Sequence, residues 1–139
     1  MNTLPLREIL LAAKDAVAEG WGLNVHLGWP QTPTALPYAV VFLMPVARDF
    51  DPAQGVESKV RIGILGRWLM PGVADDPVEI VKADRMNEMV AAFQTGPDFA
   101  GVGYLPIVTA LDPRDAEDLE KGAFQVGVTF ECRTGEDHS

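Results

Sequence analysis

The most regular alternation of apolar and polar positions lies near the end of the chain. Apolar side chains recur at every second position, at Phe124, Val126, Val128, Phe130 and Cys132. Since successive side chains of a β-strand point to opposite faces of its sheet, this pattern predicts a strand with one buried and one polar face. The same interpretation makes Cys132 a small buried apolar residue.

Two other segments carry the periodicity of amphipathic helices. The first covers residues 3–19, with apolar positions at Leu6, Ile9, Leu10, Ala13 and Val17. We expect Thr3 to cap this helix and Gly20 to end it. The second runs from Pro77 to about Gln94, with Asp76 as its cap. Its stripe consists of Val78, Met86, Met89, Val90 and Phe93.

Further strands are predicted over residues 23–27, 38–46, 56–69 and 102–111. The polar stretch 48–57 is predicted to be the tip of a long hairpin, and residues 95–101 a loop. Pro45 and Pro106 have no N–H to donate, so each should interrupt its ladder. In the strand over 56–69, Val60, Ile62 and Ile64 share one phase. Lys59, Arg61 and Arg67 share the other.

The elements follow the order α-β-β-β-α-β-β and predict an α+β fold, with a mixed or antiparallel β-sheet flanked by two helices and a long hairpin. A length of 139 residues suits one domain, which we expect over 1–132, with a flexible polar tail over 133–139. We expect no signal peptide at the N-terminus. The longest apolar run, 39–44, is too short to span a membrane.

The charge balance is strongly acidic. Lys and Arg number 11 and Asp and Glu number 20, a net charge of -9. This argues against a protein whose main task is to bind nucleic-acid phosphates, because that affinity comes from cationic side chains. It is compatible with a protein that DNA passes without binding. The single cysteine excludes an intramolecular disulfide and a zinc site made of several cysteines.

The residue types that catalysis requires are scarce. The histidines are His26 and His138, and the serines are Ser58 and Ser139, with no spacing typical of a nucleophile and its base. Gly101-Val102-Gly103 lacks the third glycine of a dinucleotide cradle, and no phosphate-binding loop is present. These observations favour a protein without catalytic residues or a cofactor.

Two acidic stretches have a structural and a metal-binding interpretation. A divalent cation prefers several oxygen ligands. The first stretch contains Asp112, Asp115, Glu117, Asp118 and Glu120. It does not match a calcium loop, so a solvated loop is the better interpretation. The second contains Asp75, Asp76 and Glu79 at a helix start, where capping and the helix dipole explain the carboxylates. We therefore predict no metal site.

Several aromatic residues lie where a partner can reach them. Phe50 stands between Asp49 and Asp51 in the predicted hairpin tip, where it either folds back on its own sheet or anchors in a pocket of a partner. Trp21, Trp29 and Trp68 lie near element ends, typical of core lids and of interfaces alike. The proline-rich loop around Trp29 makes an interface role strongest for that residue.

The order of elements is similar to that of a known protein family. An N-terminal amphipathic helix leads through a proline-rich turn into the apolar strand Leu36–Phe42, followed by a charged hairpin, a helix containing Met89–Phe93 and the final alternating strand. This resembles the tail terminator (minor tail) proteins of long-tailed bacteriophages and phage-like particles. The resemblance covers most of the chain and consists of element order and apolar pattern.

The resemblance implies a structural virion protein. Members of the family form a ring, usually of six copies, on the head-proximal end of the tail tube, where the ring ends tube polymerisation and offers a surface for head attachment. The implied partners are further copies of the chain, the tail tube protein and the head–tail connector protein. DNA would pass through the lumen without specific binding, with no enzyme activity, cofactor or membrane involved. The implied location is the tail or neck of a virion assembled in the bacterial host cytoplasm.

We predict three groups of assembly contacts from position and polarity. They are the hairpin residues Arg48, Asp49, Phe50 and Asp51, the strand face Lys59, Arg61 and Arg67, and the loop residue Trp29. Three alternatives remain open at this point. They are another neck or head–tail joining protein, a cytosolic small-ligand-binding α+β domain, and a self-assembling scaffold without a viral role. A ligand-binding domain predicts polar and titratable residues concentrated within the apolar elements.

Overall fold

The computed structural model of the chain describes residues 6–30, 35–51, 55–93, 98–99, 103–112 and 122–135. The helices are α1 (Leu6–Trp21) and α2 (Val78–Ala92). The strands are β1 (Asn24–Leu27), β2 (Tyr38–Leu43), β3 (Ala47–Asp51), β4 (Gly55–Leu69), β5 (Asp98–Phe99), β6 (Gly103–Asp112) and β7 (Ala123–Gly135). The predicted Thr3 cap, the acidic residues 115–120 and residues 136–139 of the polar tail lie outside the described residues.

The strands form a seven-stranded sheet in the order β1-β2-β4-β7-β6-β5, with β3 also paired to β4. β1 and β2 are parallel, and every other pair is antiparallel. Both helices contribute to one core together with alternate residues of β2, β4 and β7, so they cover the same face of the sheet. The predicted α+β fold with a mixed sheet and two helices is confirmed.

The long hairpin contains an irregularity at Pro45. β2 and β3 lie against the same long strand, with Leu43 opposite Ile62 and Ala47 opposite Lys59. Four residue steps along the first strand therefore face three steps along β4, which is the arrangement of a β-bulge. The interruption predicted at Pro45 is confirmed. Much of the stretch predicted as the hairpin tip is instead paired strand, up to Asp51 and again from Gly55.

The strands after α2 differ from the sequence prediction at their ends. β7 continues past the predicted end at Cys132, because β4 still offers partners there, with Lys59 opposite Arg133. β5 lies within the stretch predicted as a loop, and its two residues are too few to show an alternating pattern. β6 has a register shift between Tyr104 and Ile107, which confirms the interruption predicted at Pro106.

The predicted C-terminal end of α1 and the predicted N-cap of α2 both require correction. The glycine that terminates α1 is Gly22, directly after Trp21, and not Gly20. Gly22 adopts the left-handed φ of 67° and donates its N–H to the Ala18 carbonyl at 2.9 Å. Gly20 lies inside the helix, where an added Cβ would come within 2.7 Å of the Met89 methyl group. At α2, Pro77 rather than Asp76 is the N-cap residue, and no side chain makes a capping hydrogen bond.

The core combines aliphatic and aromatic side chains between the helices and the sheet. Trp21 and Trp68 belong to it, with ring centroids 4.8 Å apart, and the Trp21 Nε1–H donates to the Arg85 carbonyl at 2.9 Å. Lys82 is buried on the inner stripe of α2, with its Nζ 3.1 Å from a carboxylate oxygen of the exposed Glu79. Its long side chain thus packs inside while its ammonium group reaches a carboxylate.

Candidate assembly interface

The face of the sheet opposite the helices carries the predicted cationic residues of β4. Val60, Ile62 and Ile64 point into the core, so the intervening residues, which include Lys59, Arg61 and Arg67, point to the helix-free face. The shared phase predicted from the sequence is therefore confirmed. β2 and β7 contribute the neighbouring side chains of this face through their register with β4.

One end of this face holds a ladder of charged side chains. Arg61 lies opposite Glu131, with 3.5 Å between its Nε and a carboxylate oxygen, and Arg133 approaches the same carboxylate at 3.9 Å. The side chains of Arg61 and Arg133 are 47% and 42% exposed. Lys59 lies opposite Arg133 on the next pair. Two arginines of neighbouring strands thus share the Glu131 carboxylate, with Lys59 on the adjacent pair.

Arg67 belongs to a separate cluster at the other end of the strand. Six residues of β-strand separate it from Arg61, a distance of about 20 Å. Its Nη1 donates to the Tyr38 hydroxyl at 2.7 Å, and its guanidinium carbon lies 5.7 Å from the centre of the Tyr38 ring. His26 approaches Tyr38 edge-on, with ring centroids 5.9 Å apart. Because Tyr38 is buried, we interpret the contact of Arg67 with it as one that stabilises the folded chain.

Trp29 adds an exposed aromatic side chain next to the charged ladder. It is 59% exposed and stacks on Phe42, with ring centroids 6.4 Å apart. The Phe42 ring in turn covers Gly63, where an added Cβ would lie 2.2 Å from the ring. Gly63 is two residues from Arg61 on the same face of β4, so Trp29, Phe42 and Arg61 form one continuous surface.

The predicted hairpin residues are positioned by their backbone pairing alone. Arg48, Asp49, Phe50 and Asp51 form most of β3 and pair with residues 55–58 of β4. Their side chains lie outside the described part of the structure, so the two interpretations of Phe50 stay open. The strand itself lies beside Lys59, because Ala47 is opposite that residue.

Sequence reasoning missed two members of the charged ladder. Glu131 was not singled out, and Arg133 was assigned to the polar tail, although both lie on β7 opposite β4. Continuing the alternation of Phe130 and Cys132 by one further position would have placed both residues on the polar face. The cross-strand contact with Arg61 has no signal in the sequence, because it joins residues 70 positions apart.

The described residues show no candidate metal centre, and their one cysteine is a buried free thiol. They contain no group of three or more His, Cys, Asp or Glu that could hold a metal ion. Burial raises the pKa of the Cys132 thiol to about 11, so this sulfur stays protonated and unreactive near neutral pH. Neither described helix is long and apolar enough to cross a membrane.

Comparisons with known proteins give a structural likeness and no sequence family. No protein-family model matches the chain, and no curated protein is significantly similar to it in sequence. A chain in the solved structure described as "Virion of native gene transfer agent (GTA) particle" has a similar fold, with a TM-score of 0.59 and 18% sequence identity. The match covers 95% of this chain and 92% of that chain, so the two share their fold over nearly their whole lengths.

Proposed function

We propose that this chain is a structural protein of a phage-type virion. The observation that carries the proposal is the shared fold with a chain of a gene transfer agent virion, which extends over nearly the whole of both chains.

Within that class, we propose that the protein is a tail terminator. Copies of the chain would form a ring, with six as the expected number, on the head-proximal end of the tail tube. Such a ring must contact its own copies, the tail tube protein and the head–tail connector through different surfaces. The chain offers distinct surfaces of this kind, because one face of the sheet is covered by helices and the other carries charged and aromatic residues.

The acidic composition supports passage of DNA through such a ring. A net charge of -9 disfavours adhesion of a polyanion to the wall of the ring. The β3–β4 hairpin supports subunit contacts, since a strand at the edge of a sheet can pair with a strand of a neighbouring copy. No cofactor or membrane takes part in this proposal.

Electron microscopy of particles from a genome that lacks this gene tests the proposal. A tail terminator predicts tails of uncontrolled and excessive length, which return to normal length when the gene is supplied in trans. Tails of normal length lying beside filled heads would identify a joining protein of the neck instead. Intact particles of normal infectivity or transfer activity would contradict a structural role of either kind.

Charge reversal on β4 tests the predicted contacts residue by residue. Arg61→Glu should weaken ring assembly or tube docking while the chain stays folded, since Arg61 is exposed. Arg67→Glu should instead lower stability, because Arg67 donates a hydrogen bond to the buried Tyr38. Normal tail length with the Arg61 variant would remove this residue from the interface.

A further inference from the structure

The sheet ends on one side in the short strand β1, whose outer edge is open in the described part of the chain. β1 pairs with β2 in parallel, with Asn24 opposite Tyr38 and Leu27 opposite Val41. Because β1 comes first in the strand order, no other described strand pairs with its outer side. An edge of this kind carries backbone groups to which a further strand can bind.

A hydrogen bond of Gly28 shows which backbone groups of β1 point outward. The Gly28 N–H donates to the Val41 carbonyl of β2 at 2.8 Å. In a parallel pair, one residue directs both its N–H and its C=O to the partner strand, and the next residue directs both away from it. His26 therefore binds β2, whereas Val25 and Leu27 direct their N–H and C=O groups to the open side.

The side chains of β1 leave this edge accessible to an apolar partner. Leu27 is 46% exposed, although its register partner Val41 is fully buried in the core. Val25 packs partly against the same core. No lysine, arginine, carboxylate or proline stands at positions 24–27, although such residues commonly protect edge strands, so the short length of β1 is its protection.

The opposite side of the same sheet ends in β6 beyond the short strand β5. β5 pairs with Gly103 and Tyr104 of β6, and the rest of β6, up to Asp112, has β7 as its single partner among the described strands. Pro106 lies in this strand and has no N–H to donate, which is typical of edge strands and bulges. The sheet therefore has two different open edges on its two sides.

The strand directions allow these two edges to pair with each other. β1 is parallel to β2, while β2 and β4, β4 and β7, and β7 and β6 are antiparallel pairs. β1 and β6 consequently run in opposite directions within one chain. A second copy that continues the sheet with its strands aligned would thus place its β6 antiparallel to β1.

We propose that β1 of one copy pairs with the open edge of β6 of a second copy of this chain by antiparallel strand addition. Each copy uses one edge for each neighbour, so the contact is heterologous and generates a ring where the rotation closes. The contact rests on the proposed function, because it supplies a subunit interface of the terminator ring. β3 lies on the same side of β4 as β2, so the hairpin contact would extend the same edge.

The short length of β1 determines the strength of the contact. β1 has four residues, so an added strand gains few backbone hydrogen bonds, and each contributes modestly after the loss of bonds to water. Closure of a ring raises the effective concentration of the last contact. We therefore expect self-association that rises steeply with protein concentration.

Amide hydrogen exchange on the unchanged full-length chain tests the pairing of the two edges. At low concentration the amides of Val25 and Leu27 should exchange faster than that of His26, which is bonded to β2. On association at high concentration, exchange at Val25, Leu27 and along β6 should slow by about tenfold or more. β7 is paired on both sides within the chain, so its amides serve as the internal reference.

A proline at Leu27 removes an outward N–H without removing a hydrogen bond inside the chain. Leu27→Pro should weaken self-association in sedimentation equilibrium by about tenfold or more, because one donor is lost and the ring obstructs an incoming strand. Leu27→Ala is the matched control, since it keeps the N–H, and it should weaken association by less than about threefold. Thermal unfolding of both variants checks that the fold is retained.

Several outcomes would overturn the contact. They are a chain that stays monomeric at high concentration, an associated state in which Val25 and Leu27 gain no protection, and equal association of the proline and alanine variants. Protection confined to β1 would also overturn it, because that result indicates pairing of β1 with another β1 rather than with β6. If Leu27→Pro fails to fold, exchange on the unchanged chain still decides the question.

The proposed function is tested separately in particles. A Leu27→Pro chain that cannot associate but still gives tails of normal length would refute the contact alone. Protection of β1 and β6 on association, together with intact particles in the gene deletion, would refute the virion role alone.

Discussion

The two faces of the central sheet use aromatic residues in different ways. On the helix-covered face, Phe130 is fully buried and stacks on Phe93, the C-cap residue of α2, with ring centroids 4.3 Å apart. On the helix-free face, Phe42 is half-buried beneath Trp29, whose ring is mostly exposed. The chain closes the first cluster by itself, whereas the outer ring of the second cluster remains open to solvent or to a partner.

The same contrast holds for the polar groups of the two faces. Cys132 is fully buried on the helix-covered face, while Glu131, its neighbour in sequence, lies on the other face between two exposed arginines. Successive side chains of β7 point to opposite faces of the sheet. One set of side chains therefore packs in the core, and the other set lies on the surface, where another chain can contact it. Substitutions on the first face should change the free energy of unfolding, and those on the second should mainly change assembly.

The largest expected difference is between two phenylalanine truncations. Phe130→Ala should lower the free energy of unfolding by about 4 kcal/mol, because it removes a fully buried ring and leaves a cavity. Phe42→Ala should cost about 1–2 kcal/mol, since the Phe42 side chain is only partly removed from water. Urea unfolding at high salt measures both, so that association of charged surfaces does not add to the stability. An equal loss of free energy of unfolding in the two variants would contradict the claim that only the helix-covered face is enclosed by the chain itself.

Two glycines of β4 provide the next comparison. A Cβ on Gly66 would lie 2.3 Å from the Trp68 ring and 2.6 Å from the Trp21 ring, and one on Gly63 would lie 2.2 Å from the Phe42 ring. The tryptophans are enclosed by the core, so Gly66→Ala should cost about 3 kcal/mol. Phe42 has solvent on one side and can move away, so Gly63→Ala should cost about 1 kcal/mol.

The two glycine variants control for each other, because each replaces a glycine of β4 with alanine. Both variants add one methyl group and both lose the flexibility of glycine in the unfolded chain, so these contributions cancel in the difference. A Gly63 variant that is as unstable as the Gly66 variant would mean that Phe42 is held as firmly as the core tryptophans.

The buried thiol predicts a pH dependence that is specific to the helix-covered face. Burial raises the pKa of Cys132 from 9.0 to about 11, so the folded state favours the protonated thiol. Its contribution to stability is complete below pH 9 and is lost as the pH rises through 11. The loss should amount to about 2–3 kcal/mol at most.

Comparison with Cys132→Ala isolates this effect from other groups that titrate at high pH. The free energy of unfolding of the unchanged chain should fall more steeply between pH 9 and 11 than that of the alanine variant. A thiol reagent should modify Cys132 only after unfolding, since the residue is fully buried. Parallel pH profiles, or rapid modification of the folded chain, would contradict the burial of this thiol.

Local patterns predicted the elements of the fold but not all of their ends. The patterns that identified β4, β7 and α1 were the alternation of the strands and the apolar stripe of the helix. They are visible in the sequence because burial of one face imposes a regular spacing of apolar residues. Gly20 was mistaken for a helix end because its role depends on Met89 of the other helix. Lys82 escaped notice because its residue type is rarely buried, although its position continues the apolar stripe of α2.

The sequence predicted only those parts of the candidate interface that lie within a single strand. Lys59 and Arg61 share a face of β4 by alternation alone. The ion pair of Arg61 with Glu131, and the stacking of Trp29 on Phe42, depend on which elements are neighbours in the fold.

The smallest expected effect concerns Tyr38, which belongs to the helix-free face but is itself buried. Tyr38→Phe removes the hydroxyl that accepts the hydrogen bond from Arg67 at 2.7 Å, and it should cost about 1 kcal/mol of stability. The effects of Tyr38→Phe and Arg67→Met should not be additive, because the two side chains contact each other. Assembly should be unaffected by either change, since this cluster lies about 20 Å along β4 from Arg61. If Tyr38→Phe instead lengthens tails at unchanged stability, the interface extends along the whole helix-free face, and Arg67 must be counted among its contact residues.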